Sequence, residues 1–151
     1  MSFLRKIKNS VLSSAEDLVA GVTKFQNKKF MEGTVAVCAV VSIASNGASS
    51  QEKQKMLGFI QQSKELAVFD VNDVITFFNK LVDGFAFDPD IGKGEAMKYI
   101  VQLKEKPEAA QLALRVGIAV AKSDGDFDAQ EKEAAREICV ALGFNPADYQ
   151  L

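Results

Sequence analysis

The sequence predicts an all-α fold: a single domain of roughly seven helices, in which two helix–turn–helix units are related by an approximate two-fold axis. Apolar residues recur at helical spacing along most of the chain, and no segment is a convincing strand candidate. The stretch SIASNGASSQEK at residues 42–53 returns as AKSDGDFDAQEK at residues 121–132, an offset of 78 to 79 positions. Repetition at this distance indicates two copies of one helical unit.

Composition restricts the possible functions. The chain has no histidine, which removes most zinc sites, Ser–His and Cys–His nucleophile pairs and the commonest general base. Its 151 residues are 48% hydrophobic and 25% charged, values typical of a globular domain with a real core. The formal charge of −2 argues against general nucleic-acid binding. A binding or structural role is therefore favoured over catalysis.

The sequence also bears on localisation. Glu16 and Asp17 interrupt the segment that would have to be apolar in a signal peptide. No apolar run approaches the ~20 residues that a membrane helix needs. Two cysteines in a chain of this length do not make a disulfide framework, and Cys38 and Cys139 are predicted to be small buried hydrophobes. These observations predict a cytoplasmic protein.

Residues 1–12 are predicted to be a flexible basic arm, and residues 13–151 to be the helical domain. The arm combines three apolar residues with three cations: Phe3, Leu4, Ile7, Arg5, Lys6 and Lys8. A segment of this kind can touch an anionic membrane or an acidic partner, and a frayed terminus is the simpler alternative. Ser13 and Glu16 have the spacing of a capping box, so the first helix is expected to begin near Ser13.

Two largely apolar runs, at residues 34–45 and 109–122, are predicted to be the central, fully surrounded helices. Pro107 is expected to open the second of them as an N1 proline. Residues 86–94, with Pro89 and two glycines, are predicted to be the loop between the units. Further helices are expected around residues 51–66, 74–85, 94–104 and 129–142, with matching closing motifs at 69–73 and 144–148.

The turn after the second central helix carries an unusual density of acids. Asp124, Asp126, Asp128 and Glu131 lie within eight residues. A capping box formed by Asp128 and Glu131 would satisfy N–H groups at a helix start, and the first turn has the same pattern in Ser49 and Glu52. Capping does not account for Asp124 and Asp126, whose charges repel those of their neighbours. The alternatives are a cation site and a solvated acidic turn.

A cation bound at this turn would be Ca²⁺, Mg²⁺ or Mn²⁺, because the available ligands are oxygens and no organic cofactor is indicated. The Asp-x-Asp-x-Asp spacing resembles the start of an EF-hand loop. The likeness ends there, because Ala129 and Ala135 stand where that loop needs Gly and Glu. The first turn offers Asn46 and Glu52 as a weaker half-site, which could join the second if the two turns meet.

Cations are concentrated near the N-terminus. Residues 1–30 contain six Lys or Arg and two acids, a formal charge of +4, whereas residues 31–151 contain 12 and 18, a formal charge of −6. A cluster at the end of the first long helix is a candidate surface for anionic lipids or an acidic partner loop: Lys24, Lys28 and Lys29. The alternative is that these cations complement the dipole of their own helix end.

The two turns, each following a buried apolar helix and preceding an early Glu, resemble those of the TerB family of tellurite-resistance proteins. The similarity runs from SIASNGASSQEK to the closing GFNPADYQL. It implies a cytoplasmic, non-enzymatic component of a tellurite-resistance system that also affects phage and colicin sensitivity. It further implies that the protein has a membrane-embedded partner in that system and is peripheral at the inner membrane. It also implies metal binding at Asp124 and Glu131 and at Asn46 and Glu52. Asn46 stands where the stronger form of the motif has Asp, which weakens the case for the first turn.

Two other functions remain open from the residues alone. A metal-dependent hydrolase could use carboxylates without histidine, with Asp124, Asp126 and Glu131 as ligands. No Lys, Arg or Gly-rich phosphate cradle accompanies those acids. Direct thiol chemistry on tellurite by Cys38 and Cys139 is the third possibility.

Overall fold

The fold is all-α, as predicted, in a computed structural model that describes residues 15–24, 27–47, 50–64, 66–123 and 127–151. Every regular element in these ranges is helical. They contain seven α-helices: α1 (Ala15–Lys24), α2 (Lys28–Asn46), α3 (Ser50–Gln62), α4 (Val71–Phe87), α5 (Pro89–Val101), α6 (Pro107–Ser123) and α7 (Ala129–Ala141). Short 3-10 turns follow α5 and α7, at Gln102–Glu105 and Pro146–Tyr149. The predicted arm and the Ser13 cap lie outside the described residues.

Helices α2 and α6 form the centre of the molecule, as their apolar runs predict. Side chains are buried on every side of α2 from Val35 to Val41 and of α6 from Ala109 to Ile118. Helix α2 packs against α4, α5, α6 and α7, so the first unit contributes the helix around which the second is built. None of the described helices is both long and apolar enough to span a bilayer.

The two central helices run parallel. Near their N-termini, Lys29 forms a 2.9 Å ion pair with Glu105, which lies just before α6. Further along both helices, a Cβ on Gly117 would lie 2.3 Å from Cγ1 of Val37, so the glycine lets the two backbones approach closely. Because the contacts advance in the same direction along both chains, the C-terminal ends of α2 and α6 lie at the same end of the fold.

The predicted loop at residues 86–94 is wrong: α5 begins inside it. The interruption between α4 and α5 is one residue, Asp88, whose Oδ1 accepts hydrogen bonds from the N–H groups of Asp90 and Ile91 at 2.9 and 3.1 Å. Pro89 then opens the helix, where its missing N–H costs nothing. Gly92 belongs to a helix crossing, since a Cβ there would lie 2.4 Å from the backbone nitrogen of Phe85.

The closing motifs of the two units are locally alike. Asp70 caps α4 by accepting hydrogen bonds from the N–H groups of Asn72 and Asp73, and Asn145 caps the last 3-10 turn by accepting from Ala147. The helix predicted for residues 51–66 ends earlier, at Gln62, and a series of turns leads to the Asp70 cap. The cap motif therefore repeats although the connecting segments differ.

Candidate functional site

The second turn leads into α7 through a complete capping box, as predicted. Asp128 Oδ1 accepts a hydrogen bond from the N–H of Glu131 at 2.8 Å, and Glu131 Oε1 accepts one from the N–H of Asp128 at 3.2 Å. The box fixes both carboxylates at the start of α7, where the helix dipole favours negative charge.

Glu131 is a deeply buried carboxylate, with 2% of its surface exposed. Proteins hydrogen-bond buried charges, pair them, or use them to coordinate metals, because desolvating a charge is costly. Burial also fixes the rotamer of the side chain. The second turn thus contains one carboxylate in a fixed position and, in Asp128, a second one held beside it by the cap.

The aromatic residue of this turn packs inward. Phe127 is half-buried against the core, and the ammonium of Lys122 lies 5.5 Å from the centroid of its ring. This cation–π contact brings a positive charge to the edge of the acidic turn. The sequence pattern did not single out Lys122.

The structure describes the other predicted metal ligands only in part. Asp124 and Asp126 lie outside the described residues, as does Ser49 of the first capping box. Asn46 ends α2 and Glu52 lies in the first turn of α3, but their side chains are not among those described. Within the described part of the chain, no three acidic or cysteine side chains converge on one point. The parallel central helices do place the two turns at the same end of the molecule.

The predicted lysine cluster lies at a helix junction. Lys24 ends α1, whereas Lys28 and Lys29 begin α2, with Asn27 as the N-cap. The expectation that all three complement the dipole of one helix end is therefore wrong, because Lys28 and Lys29 lie at the positive end of α2. Both side chains are exposed, and Lys29 pairs with Glu105.

A cleft of about 840 Å³ between α2 and α4 was not predicted. Its floor is apolar and its rim is polar and charged, with these lining residues: Met31, Val68, Phe69, Phe77, Asn27, Lys28, Glu32, Asp70, Asp73, Thr76 and Lys80. Lys80 donates a 3.1 Å hydrogen bond to the hydroxyl of Tyr99, which raises the pKa of the lysine. The aromatic residues flanking the start of α4 are the signal that could have suggested this cleft.

Both cysteines are fully buried, as predicted. Burial raises the pKa of Cys139 to about 11, so its thiol is protonated at neutral pH. Because the thiolate is the reactive form, this environment favours an inert packing role.

Comparison with known proteins places the chain in a family. The family model described as Tellurite resistance protein TerB matches residues 31–151, a region that includes both turns. The Tellurium resistance protein TerB from an Alcaligenes species is 62% identical over 118 residues, which cover 78% of this chain and 97% of that protein. No solved structure matches the chain at a significant level. The chain therefore belongs to the TerB family of tellurite resistance proteins.

Proposed function

We propose that this protein is a non-enzymatic component of a tellurite-resistance system, in which it binds a divalent cation at the second turn and contacts a membrane-embedded protein of the same system. Its family membership is the observation that carries the proposal, because the 62% identical relative is named as a tellurium resistance protein. An effect on phage and colicin sensitivity belongs to the same proposal.

The cation would be held by oxygen atoms of the second turn. Asp128 and Glu131 support this part of the proposal, since the capping box holds both carboxylates at one helix start. Asp124 and Asp126 would complete the set, and Asn46 and Glu52 would approach from the first turn at the same end of the fold. Ca²⁺, Mg²⁺ or Mn²⁺ would neutralise the crowded acids and fix the turn between α6 and α7.

Contact with the membrane partner would use the basic surface of Lys24, Lys28 and Lys29. Lys28 and Lys29 are exposed, so they can meet an acidic cytoplasmic loop or anionic headgroups. In this proposal the protein lies in the cytoplasm and is peripheral at the inner membrane. Electrostatic attraction of this kind mainly sets the encounter rate and its dependence on salt.

Neither enzymatic alternative is favoured by a specific observation. The comparisons name a resistance protein and not a hydrolase. Thiol chemistry on tellurite is disfavoured by the burial of Cys38 and Cys139. Catalysis would need a reactive group that reaches solvent, and these cysteines do not supply one.

The cation proposal is tested by titrating Ca²⁺, Mg²⁺ and Mn²⁺ into the labelled protein and recording its amide NMR spectrum. We expect the amides of residues 123–132 to shift first, and the Asp124→Asn, Asp126→Asn variant to lose this response. The matched control changes two acids elsewhere, Asp83→Asn and Asp90→Asn, and should respond like the parent.

The same two variants test the link to resistance in cells that depend on this protein for growth on tellurite. We expect the turn variant to lose protection at equal protein levels and the control to keep it. A turn variant that protects fully would separate cation binding from resistance. If the amide signals of residues 123–132 do not shift at millimolar metal concentrations, the proposed cation site at the second turn is wrong.

A further inference from the structure

The cleft between α2 and α4 has the composition of a docking groove for an apolar segment. Met31 and Phe77 at its floor are each 7% exposed, so their packing holds them in place, and the half-buried Val68 and Phe69 add further apolar surface to the cleft. The ring of Phe77 is held edge-on by Tyr99, at a centroid distance of 4.8 Å. A preformed apolar floor with a polar rim is how proteins bind amphipathic helices.

The charged side chains of the rim have a small net negative charge, because Glu32, Asp70 and Asp73 outnumber Lys28 and Lys80 by one. Two of these acids, Asp70 and Asp73, lie together at the start of α4. The cleft therefore suits a segment that combines apolar side chains with positive charge.

The chain itself contains such a segment before α1. Phe3, Leu4, Ile7 and Val11 fall at helical spacing, which would place them on one face of a helix. Three cations lie among them: Arg5, Lys6 and Lys8. These apolar and positively charged side chains complement the apolar floor and the carboxylates of the cleft.

The segment is also long enough to reach the cleft. Helix α1 has 10 residues and so spans about 15 Å, and it ends three residues before Asn27, which lines the cleft. The 14 residues before α1 span up to about 46 Å when extended. A covalently attached segment has an effective concentration in the millimolar range, so a weak intrinsic affinity is enough for occupancy.

We propose that the cleft between α2 and α4 is occupied by residues 1–12 of the same chain. The apolar face of the segment covers Met31 and Phe77, and its cations meet Asp70 and Asp73. A docked segment cannot insert Phe3, Leu4 and Ile7 into lipid, so docking and membrane contact exclude each other. The segment therefore alternates between its own cleft and a membrane surface. This goes beyond the proposed role in resistance, which makes no statement about the cleft.

The absence of tryptophan from the sequence allows a direct test. In the full-length Phe3→Trp variant the indole is the only one in the protein. We expect its emission to be blue-shifted, and its quenching by acrylamide reduced, relative to a free peptide of residues 1–14 with the same substitution.

Two further variants locate the docked segment. Asp73→Lys with Thr76→Lys adds three positive charges to the cleft at exposed positions of α4 and should return the emission to that of the peptide. Asp90→Lys with Gln102→Lys adds the same charge at exposed positions that do not line the cleft, and Asp90, like Asp73, lies in the first turn of its helix. This control should keep the blue shift.

Three outcomes overturn the proposal. A parent spectrum identical to that of the peptide means that the segment is not docked. A blue shift that survives the cleft variant places the segment elsewhere. A blue shift that grows with protein concentration means that it occupies a second copy of the chain.

Discussion

The guanidinium of Arg115 lies 4.8 Å from the centroid of the Tyr149 ring, although Arg115 belongs to the central helix α6 and is 5% exposed. The C-terminal 3-10 turn therefore covers a buried cation. Desolvation lowers the pKa of Arg115, and the aromatic face partly compensates for the lost water.

Replacing Tyr149 with Leu should destabilise the protein by about 2 kcal/mol or more, because the buried cation loses its aromatic partner and the core loses volume. Tyr149→Phe is the matched control. The Tyr149 hydroxyl has no hydrogen-bond partner among the described residues, so its removal should leave the stability nearly unchanged. Urea unfolding of the two variants measures the difference, and equal losses would show that the ring does not stabilise Arg115.

Two glycines of α5 should respond oppositely to alanine. Gly92→Ala places a Cβ 2.4 Å from the backbone nitrogen of Phe85, which cannot move aside as a side chain would, so we expect a loss of about 1–3 kcal/mol. A Cβ on Gly94 meets nothing within 4 Å, and Gly94→Ala should stabilise the helix by about 0.5–1 kcal/mol. Thermal unfolding checks both. A harmless Gly92→Ala would mean that α4 and α5 do not cross so closely.

Substitutions of Asp128 can separate capping from cation binding. Asp128→Ala should cost about 0.5–2 kcal/mol of stability, since the Glu131 N–H loses its acceptor. Asp128→Ser keeps a capping oxygen and should retain most of that stability while weakening cation affinity. Calorimetric metal titration of the Ser variant is the deciding measurement, and unchanged affinity would remove Asp128 from the ligand set.

The buried thiol of Cys139 should make stability fall at high pH. Its pKa rises from 9.0 to about 11 on folding, so between these values the unfolded state has released the proton while the folded state still holds it. The contribution, on the order of 2 kcal/mol, is present below pH 9 and lost as the pH rises towards 11.

Unfolding free energies of the parent and of Cys139→Ala at pH 8 and pH 11 measure this loss. The variant starts from a lower stability because a cavity forms, but it should lose less on going to pH 11. Equal losses in the two proteins would assign the pH dependence to other groups.

Changing Lys24, Lys28 and Lys29 together to Gln should leave the melting temperature nearly unchanged, because the Lys29–Glu105 pair is exposed and such pairs contribute ~0–1 kcal/mol. Association with the membrane fraction of tellurite-grown cells should become weaker and less dependent on salt. The control removes three exposed lysines elsewhere, Lys64, Lys98 and Lys104. If both variants lose association equally, total charge rather than this surface is responsible.

The sequence predicted the features that local chemistry determines. Pro107 opens α6 and Asp128 caps α7 because each acts on N–H groups within its own first turn. The same local reasoning is wrong at residues 86–94, where Pro89 and the two glycines predict a loop but α5 begins at Pro89. Gly92 is required by the approach of Phe85, a tertiary contact that has no signature in the sequence.

The site was predictable to a similar extent. The capping pair Asp128 and Glu131 follows from spacing, but the depth at which Glu131 is buried depends on how α7 packs against α2. The aromatic residues Phe69 and Phe77 are the local signal for the cleft, but its existence depends on the placement of α2 relative to α4, which no local pattern encodes. The prediction that the lysines lie at a single helix end misses the N-cap residue Asn27, after which a second helix begins.

The packing of α2 against α5, α6 and α7 has a consequence for synthesis on the ribosome. An apolar helix completed at residue 46 meets its last major neighbour when residue 141 has been added. At translation rates of about 5–20 residues per second this takes roughly 5–20 s. During that interval the nascent chain exposes an apolar helix that the folded protein buries on every side, which makes it a substrate for chaperones that hold exposed apolar segments.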